Sequence, residues 1–155
     1  MYQIINGPAD APKVECLSPQ NQCPWAARFC YKTDEDGNTT YAMSKFSHRP
    51  SVDDVRVEVA SYFNDIVKER ILSGWTYENV GIWLSNENQM NYATAAAVGA
   101  ESLVIKGGSE EAPQYLTLSS AEDIRTFVTA MRDYIANTVA WGWEQKDNFD
   151  YSPYE

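Results

Sequence analysis

Apolar and polar residues alternate with a period of two along residues 75–84. The apolar positions of this stretch are Trp75, Tyr77, Val80, Ile82 and Leu84. Such a period predicts two short strands with one strongly apolar face. Glu78 and Asn79 stand where a two-residue turn would fall, and Asn tolerates a positive φ. We therefore expect a tight hairpin here, and we expect Gly74 to be the left-handed residue that ends the helix before it.

Two longer segments carry apolar residues at helical spacing instead. The first runs from about residue 52 to 72, and its apolar face consists of Val55, Val59, Tyr62, Phe63, Ile66 and Val67. The second runs from about residue 121 to 145, with a stripe of Ile124, Phe127, Val128, Met131, Tyr134, Ile135 and Val139. Both segments predict amphipathic helices that bury these faces in a core.

Serines mark the expected starts of these helices. Ser51 with Asp54 three residues later is a variant of the capping box, and Ser119 with Glu122 is the full S-x-x-E pattern. Two neighbouring carboxylates such as Asp53 and Asp54 could also indicate acid–base chemistry. No base or nucleophile accompanies them in sequence, so capping is the better interpretation.

A third, shorter helix is predicted after Ser85, with Glu87, Asn88 and Gln89 in its first turn. The two side-chain amides can bond to the backbone of the preceding hairpin and so set the angle between strand and helix. We expect this structural role rather than contact with a ligand. Small residues follow on a narrow face, which could pack on the long helix of the same chain or on a helix of a second copy. This face consists of Met90, Ala93, Ala97 and Ala100.

Two further hairpins complete the expected elements. Residues 25–32 and 39–46 predict the first, joined by an acidic turn over residues 34–38. The turn lacks the terminal glutamate of a calcium loop, so a solvated turn is the better interpretation. Residues 103–106 and 114–118 predict the second hairpin, which we expect to pair with residues 75–84. The fold class is then α+β: a small antiparallel sheet of hairpins packed against two to three helices.

The two ends of the chain differ in composition from its middle. Residues 1–24 contain Tyr2, Ile4, Ile5, Val14 and Leu17 among prolines, a density of proline that disfavours helices and central strands. We expect an extended arm that lies along its own domain or docks on a neighbouring subunit. Residues 25–155 form one domain: the hairpin 25–47, a helix–hairpin–helix–hairpin–helix block over 51–146, and an aromatic tail over 147–155. The tail could fold back as a clasp or engage a partner.

Charge and composition exclude several partners. The chain has 155 residues and a formal net charge of −10. Nucleic-acid phosphates and anionic membranes attract basic surfaces, so we expect neither as a partner. The start of the chain lacks the basic and apolar regions of a secretory signal, which predicts synthesis and folding in a cytosol.

The three cysteines, Cys16, Cys23 and Cys30, lie seven residues apart. Their odd number argues against a closed disulfide framework, so we expect buried or half-buried thiols. A metal site built from three cysteines would need a fourth ligand, and the sequence contains one histidine and no C-x-x-C pair. We therefore predict no metal and no cofactor.

The block from about residue 52 to 154 resembles a small domain of unknown function encoded by tailed phages and prophages of gut bacteria. The resemblance rests on residues 71–77 (ILSGWTY), 80–89 (VGIWLSNENQ), 91–92 (NY) and 142–147 (GWEQKD). It implies a role in the virion or its assembly, most often near tails and fibres. The family has no established catalytic residues to transfer to this chain.

These observations together predict a non-enzymatic structural protein of a phage virion, in its head, tail or fibres. It would be made in the cytoplasm of the host bacterium and would form homo-oligomers and contacts with other virion proteins. The expected partner-binding residues are Tyr2, Ile4, Ile5, Val14, Leu17, Trp143, Phe149, Tyr151 and Tyr154.

Two alternative functions remain at the level of the sequence. One is a binding module for glycans or cell-surface polymers that uses Trp75, Trp83 or Trp143 as a stacking platform. The other is a chaperone of fibre assembly that leaves the finished particle. A small enzyme is the least supported class, because its best carboxylates are explained as residues at helix ends.

Overall fold

The structure is a computed structural model that describes residues 1–18, 20 and 24–155. Within these residues it confirms the predicted α+β class. The helices are α1 (Val52–Ser73), α2 (Asn86–Ala97) and α3 (Ala121–Asp147). Contacts divide the chain into an N-terminal unit, residues 1–65 with 145–155, and a central unit, residues 66–144.

The N-terminal unit is built on a four-stranded antiparallel sheet. Its strands are β1 (Gln3–Asn6), β2 (Val14–Cys16), β3 (Trp25–Thr33) and β4 (Thr39–Phe46), in the order β1-β4-β3-β2. The predicted hairpin 25–47 forms the middle of the sheet. The segment expected to be an arm supplies both edges and so lies along its own unit. Edge positions suit a proline-rich segment, because an edge strand needs fewer ladder donors than a central strand.

Aromatic rings form much of the core of this unit. The rings of Tyr2, Phe29 and Tyr62 meet edge to face, with centroids 5.4–6.2 Å apart. Val55 and Val59 of α1 are completely buried, as their helical spacing predicts. The Tyr2 hydroxyl donates a hydrogen bond to a carboxylate oxygen of Asp65 at 2.9 Å.

The C-terminal tail folds back on the N-terminal unit. Its last turn is a short 3-10 helix, Ser152–Tyr154. The Tyr154 side chain is 5% exposed, and its hydroxyl donates to the backbone oxygen of Arg28 at 2.7 Å. The prediction that Tyr154 binds a partner is therefore wrong, because burial and this hydrogen bond place the residue in the unit's own core.

The cysteines differ in state. Cys16 is disulfide-bonded, so the expectation of a thiol there is wrong. Cys30 carries a free, half-buried thiol. The residue has a φ of 54° and lies where the register of the β3–β4 pairing shifts. Burial raises the pKa of that thiol to about 12. The prediction of a thiol at Cys23 lies outside the described residues.

The central unit contains two separate hairpins. The first pairs β5 (Trp75–Tyr77) with β6 (Val80–Ile82), and the second pairs β7 (Leu103–Gly108) with β8 (Pro113–Leu118). Glu78 and Asn79 have φ values of 47° and 64°, which confirms the predicted two-residue turn.

The predicted pairing of residues 103–118 with residues 75–84 is wrong, since each hairpin is its own two-stranded sheet. The two hairpins touch at glycines instead. A side chain at Gly107 would collide with the backbone oxygen of Gly81 and with the side chain of Val80. They therefore pack closely without sharing a ladder.

One ring lies at the centre of the core of this unit. Phe127 of α3 is fully buried, and the rings of Trp75, Tyr77 and Tyr92 surround it at centroid distances of 5.0–5.3 Å. Because Trp75 is only 8% exposed, it is not available as a stacking platform for glycans.

One predicted helix end and one predicted helix cap need correction. Gly74 does not have the predicted left-handed φ. A Cβ atom there would lie 2.6 Å from the backbone oxygen of Arg70 and 2.8 Å from the Tyr134 hydroxyl, so close packing explains the glycine. α3 begins at Ala121 as predicted, but its cap is Ser120 instead of Ser119, because the Ser120 hydroxyl accepts from the backbone N–H of Asp123.

The predicted small face of α2 is correct only in part. Ala100 packs on the core of the central unit, but Met90 and Ala97 are exposed, and Tyr92, Ala95 and Ala96 pack on that core instead. The reason is Tyr92, whose ring contributes more buried apolar area than an alanine and sets the side of the helix that faces inward.

Candidate functional site: a groove along the edge of β7

A groove of about 710 Å³ lies within the central unit. One wall consists of Trp83, Asn88, Asn91 and Tyr92, and the other of the consecutive residues 103–110. Successive side chains of a strand point to opposite faces of a sheet. Because every residue of β7 lines the groove, and not only those of one face, the groove runs along the edge of that strand. We call this feature the β7 groove.

Three polar side chains at the start of α2 position the first wall. The Ser85 hydroxyl caps the helix by accepting from the backbone N–H of Asn88 at 3.2 Å. The side-chain amide of Asn88 donates to the backbone oxygen of Trp83, and that of Gln89 donates to the backbone oxygen of Leu84, both at 2.8 Å. These bonds confirm the predicted link between the hairpin and the helix.

The same stretch turns Trp83 outward. Ile82 and Leu84 are each 1% exposed. Because side chains alternate in an extended chain, Trp83 between them points the other way and is 50% exposed. Glu87 is exposed in the first turn of α2, where a carboxylate suits the positive end of the helix dipole.

The second wall presents backbone groups. The backbone N–H of Ser109 donates to the backbone oxygen of Ala112 at 3.3 Å, so these two residues form the hydrogen-bonded pair next to the turn. Bonded and non-bonded pairs alternate along an antiparallel ladder. Gly108 and Pro113 are then a non-bonded pair, which agrees with the missing N–H of proline.

By the same alternation, Val104 and Lys106 also belong to non-bonded pairs, with Thr117 and Tyr115 as their partners. Their backbone N–H and C=O groups point away from β8, towards the groove edge of β7. Within the described residues, β7 pairs with no strand other than β8. The groove therefore exposes hydrogen-bonding backbone along one side.

The outward face of the β7–β8 hairpin is partly apolar. Val104 is 60% exposed, and Tyr115 on β8 is also exposed. At the tip of the hairpin the ammonium group of Lys106 lies 3.2 Å from a carboxylate oxygen of Glu110, and both side chains are exposed. This pair contributes little to stability, because water screens exposed ions.

The central unit, which contains the groove, is acidic overall. Residues 66–144 contain five basic side chains and ten carboxylates. The charged residues of the groove lining itself are Lys106 and Glu110. The net charge of the unit therefore favours a cationic partner over an anionic one.

The nine predicted partner-binding residues do not line this groove. Eight belong to the N-terminal unit, where Ile4 and Leu17 are exposed, Tyr2, Ile5, Val14, Phe149 and Tyr151 are half-buried, and Tyr154 is buried. Trp143 belongs to the central unit and is 60% exposed on α3.

Sequence reasoning missed Asn91, Val104 and Lys106 as candidate site residues. One signal could have found the second wall: Leu103, Val104 and Ile105 are apolar on both faces of a short strand, although one face of a surface hairpin is normally polar.

Other candidate chemistry has structural explanations. Asp54 accepts hydrogen bonds from the backbone N–H and the hydroxyl of Ser51, at 2.8 and 2.7 Å, which is a helix cap. These bonds lower the pKa of Asp54. Asp34 closes its acidic turn by accepting from the backbone N–H groups of Asp36 and Asn38.

The part of the chain that the structure describes holds no group of three or more His, Cys, Asp or Glu residues suited to a metal ion. In the same residues no helix is long and apolar enough to cross a bilayer. Comparison of the chain with protein-family models, with curated proteins and with solved structures finds no match.

Proposed function

We propose that the protein is a non-enzymatic structural component of a phage virion, and that it acts through protein–protein contacts made at the β7 groove. One observation carries the proposal: an open strand edge lies beside an exposed tryptophan in a groove within one unit. Proteins normally cover or charge their open strand edges, because such edges pair with other chains. An uncovered edge flanked by Trp83 and Val104 has the character of a contact surface.

The proposed place in a virion rests on the resemblance of residues 71–77 and 80–89 to the phage domain. The second of these segments contains Trp83 and Asn88, which line the first wall of the groove, and Ser85 and Gln89, whose hydrogen bonds position that wall. The resembling motif therefore includes part of the first wall, whereas the second wall lies outside it. We extend the proposal to homo-oligomers and contacts with other virion proteins, with synthesis in the host cytoplasm.

Mass spectrometry of purified particles of the phage that encodes the chain tests this function. We expect the chain in the particles at a fixed ratio to the major head or tail proteins. Particles that form normally and lack the chain contradict the structural role. A chain that is needed for fibre assembly but absent from particles supports the chaperone alternative instead.

Light-scattering chromatography of the purified protein tests the expected homo-oligomer. A strict monomer that also binds no virion protein would contradict contact-based function. A monomer that binds another virion protein would restrict the proposal to contacts between different chains.

A glycan-binding module is the second candidate, and the observation that favours it is Trp83 beside Asn91. An exposed indole next to an exposed side-chain amide can stack on a sugar and bond to its hydroxyls. A glycan array probed with the protein and with Trp83→Ala tests it. Binding that Trp83→Ala removes supports the module, and the absence of binding on the whole array rejects it.

A further inference from the structure

We infer that the β7 groove binds an extended, positively charged segment of a partner protein, which adds to the β7–β8 hairpin as a third strand. This inference rests on the proposed function, because it names the class of partner for the same site. Its first support is the backbone. The N–H and C=O groups of Val104 and Lys106 point into the groove, and an extended peptide presents the same groups at the same spacing.

The dimensions of the groove suit a short strand. β7 has six residues, which corresponds to about 20 Å of extended chain. A peptide of about six residues therefore matches the full edge. Its side chains would alternate between the outward face, next to Val104, and the opposite face.

The groove wall that faces β7 favours an apolar side chain in the bound peptide. Trp83 is half exposed at the groove, and Tyr92 forms part of the same wall. A bound strand would cover the Trp83 ring and remove its apolar area from water. Cross-strand neighbours of Val104 are also most favourable when they are apolar or β-branched.

Charge selects the remaining side chains of the partner. The excess of carboxylates in the central unit, ten against five basic side chains in residues 66–144, favours Lys or Arg in the bound segment. The net charge of −10 also disfavours a second copy of this chain as the occupant of the groove, because two acidic surfaces repel, so the proposed homo-oligomer forms through another surface. At the hairpin tip Glu110 pairs with Lys106, whereas Glu111 is exposed and can meet a cationic side chain.

A fluorescent eight-residue peptide of alternating lysine and valine is a suitable probe. We measure its binding to the full chain by fluorescence anisotropy, beside a glutamate–valine peptide of the same length. In two further versions, the backbone nitrogens of either all the valines or all the lysines carry N-methyl groups. In a strand, the N–H groups on one edge belong to alternate residues, so one of these two versions loses the bonds to β7.

We expect the lysine–valine peptide to bind and the glutamate–valine peptide to bind at least about tenfold more weakly. One N-methylated version should also lose at least about tenfold in affinity. Hydrogen exchange measured by NMR should slow at the backbone amides of Val104 and Lys106 in the complex. Trp83→Ala should weaken binding, whereas Trp143→Ala, which removes an indole outside the groove that is 60% exposed against 50% for Trp83, should leave it unchanged.

Val104→Pro and Thr117→Pro form a matched pair of variants. The two residues are opposite each other in a non-bonded pair, so each proline removes an N–H from an outer edge and leaves the ladder donors in place. Only Val104→Pro removes the donor on the groove side, and only this variant should lose binding. If either proline prevents folding, the N-methylated peptides test the same hydrogen bonds on the unchanged protein.

Equal binding of both N-methylated peptides and their parent would overturn the inference. So would complexes in which the Val104 and Lys106 amides exchange as fast as in the free protein, or no detectable binding of the basic peptide. These results differ from a failure of the proposed function. Peptide binding by a chain absent from virions contradicts only the virion role, whereas a virion chain that ignores the peptide contradicts only strand addition.

Discussion

The side-chain amide of Asn88 donates a hydrogen bond to the backbone oxygen of Trp83 at 2.8 Å. This bond joins the first turn of α2 to the end of the β5–β6 hairpin. It acts beside the Ser85 cap, so the chain leaves the hairpin and enters the helix in one defined direction. The direction matters for function, because it holds the Trp83 ring at the groove while Leu84 enters the core.

Replacement of Asn88 tests this link. Asn88→Ala removes the donor and should lower the free energy of unfolding by about 1 kcal/mol, the typical net contribution of one hydrogen bond. It should also weaken binding at the β7 groove, because Trp83 loses its support. Urea denaturation measures the first effect. Asn91→Ala, at an exposed position of the same helix, is the control and should change stability by less than about 0.5 kcal/mol.

A side chain at Gly74 would be crowded by its neighbours, whereas a side chain at Gly81 would enter open space. Gly74→Ala places a methyl group against the Arg70 backbone and the Tyr134 hydroxyl, and should destabilise the protein by about 1–3 kcal/mol. Gly81→Ala meets no atom within 4 Å and should be nearly neutral. Thermal and urea unfolding of the two variants check the prediction. If the two variants are equally stable, the residues around Gly74 move enough to accommodate the added methyl group.

The buried Tyr154 hydroxyl anchors the C-terminal tail. Tyr154→Phe leaves the backbone oxygen of Arg28 without this donor and should cost about 1–2 kcal/mol. The tail should then be cleaved faster in limited proteolysis. Tyr115→Phe removes an exposed hydroxyl and serves as the control, with no expected effect on either measurement. A tail as resistant in Tyr154→Phe as in the unchanged protein would contradict the anchoring role.

Alkaline pH should unfold the protein through its tyrosines. Burial raises the pKa of Tyr2 from 10.0 to about 12, and that of Tyr31 likewise. Burial is also the largest cause of raised pKa values at Tyr77, Tyr92, Tyr151 and Tyr154. Above pH 10 the unfolded chain releases phenol protons that the folded chain keeps, so stability falls as pH rises.

The fall caused by the tyrosines should therefore lie between about pH 10 and pH 12, and the Cys30 thiol, whose pKa is raised from 9.0 to about 12, adds to it from about pH 9. Urea unfolding at stepped pH, together with ultraviolet titration of tyrosinate, measures it. Tyr31→Phe should make the fall shallower, because one of the groups with a raised pKa is gone. A stability that does not change across this window would contradict the burial of these phenols.

Local patterns in the sequence predict most of the elements correctly. The turn at Glu78 and Asn79, the cap at Ser85 and the buried face of α3 all follow from neighbours a few residues apart. Each depends on backbone preference or helical period alone. The shift of the α3 cap to Ser120 arises because Ser119 and Ser120 are adjacent and equally able to cap.

Relationships between distant segments could not be predicted in the same way. The burial of Tyr154 depends on a backbone oxygen 126 residues away, which no local pattern indicates. The β7 groove depends on which edge of the hairpin stays open, and the strand sequence is compatible with pairing on either side. The sequence indicates Trp83 as a candidate stacking platform for glycans, but the wall opposite it at Val104 and Lys106 is formed only by the fold.

Photo-crosslinking from position 83 tests the central claim most directly. A photoreactive phenylalanine derivative replaces Trp83 during phage infection, the particles are irradiated and purified, and mass spectrometry identifies the adducts. We predict covalent adducts to an extended, lysine- or arginine-containing segment of another virion protein, and none to that segment from position 143. A chain that is present in the particles but forms no adduct from position 83 would contradict the claim that the β7 groove is its contact site.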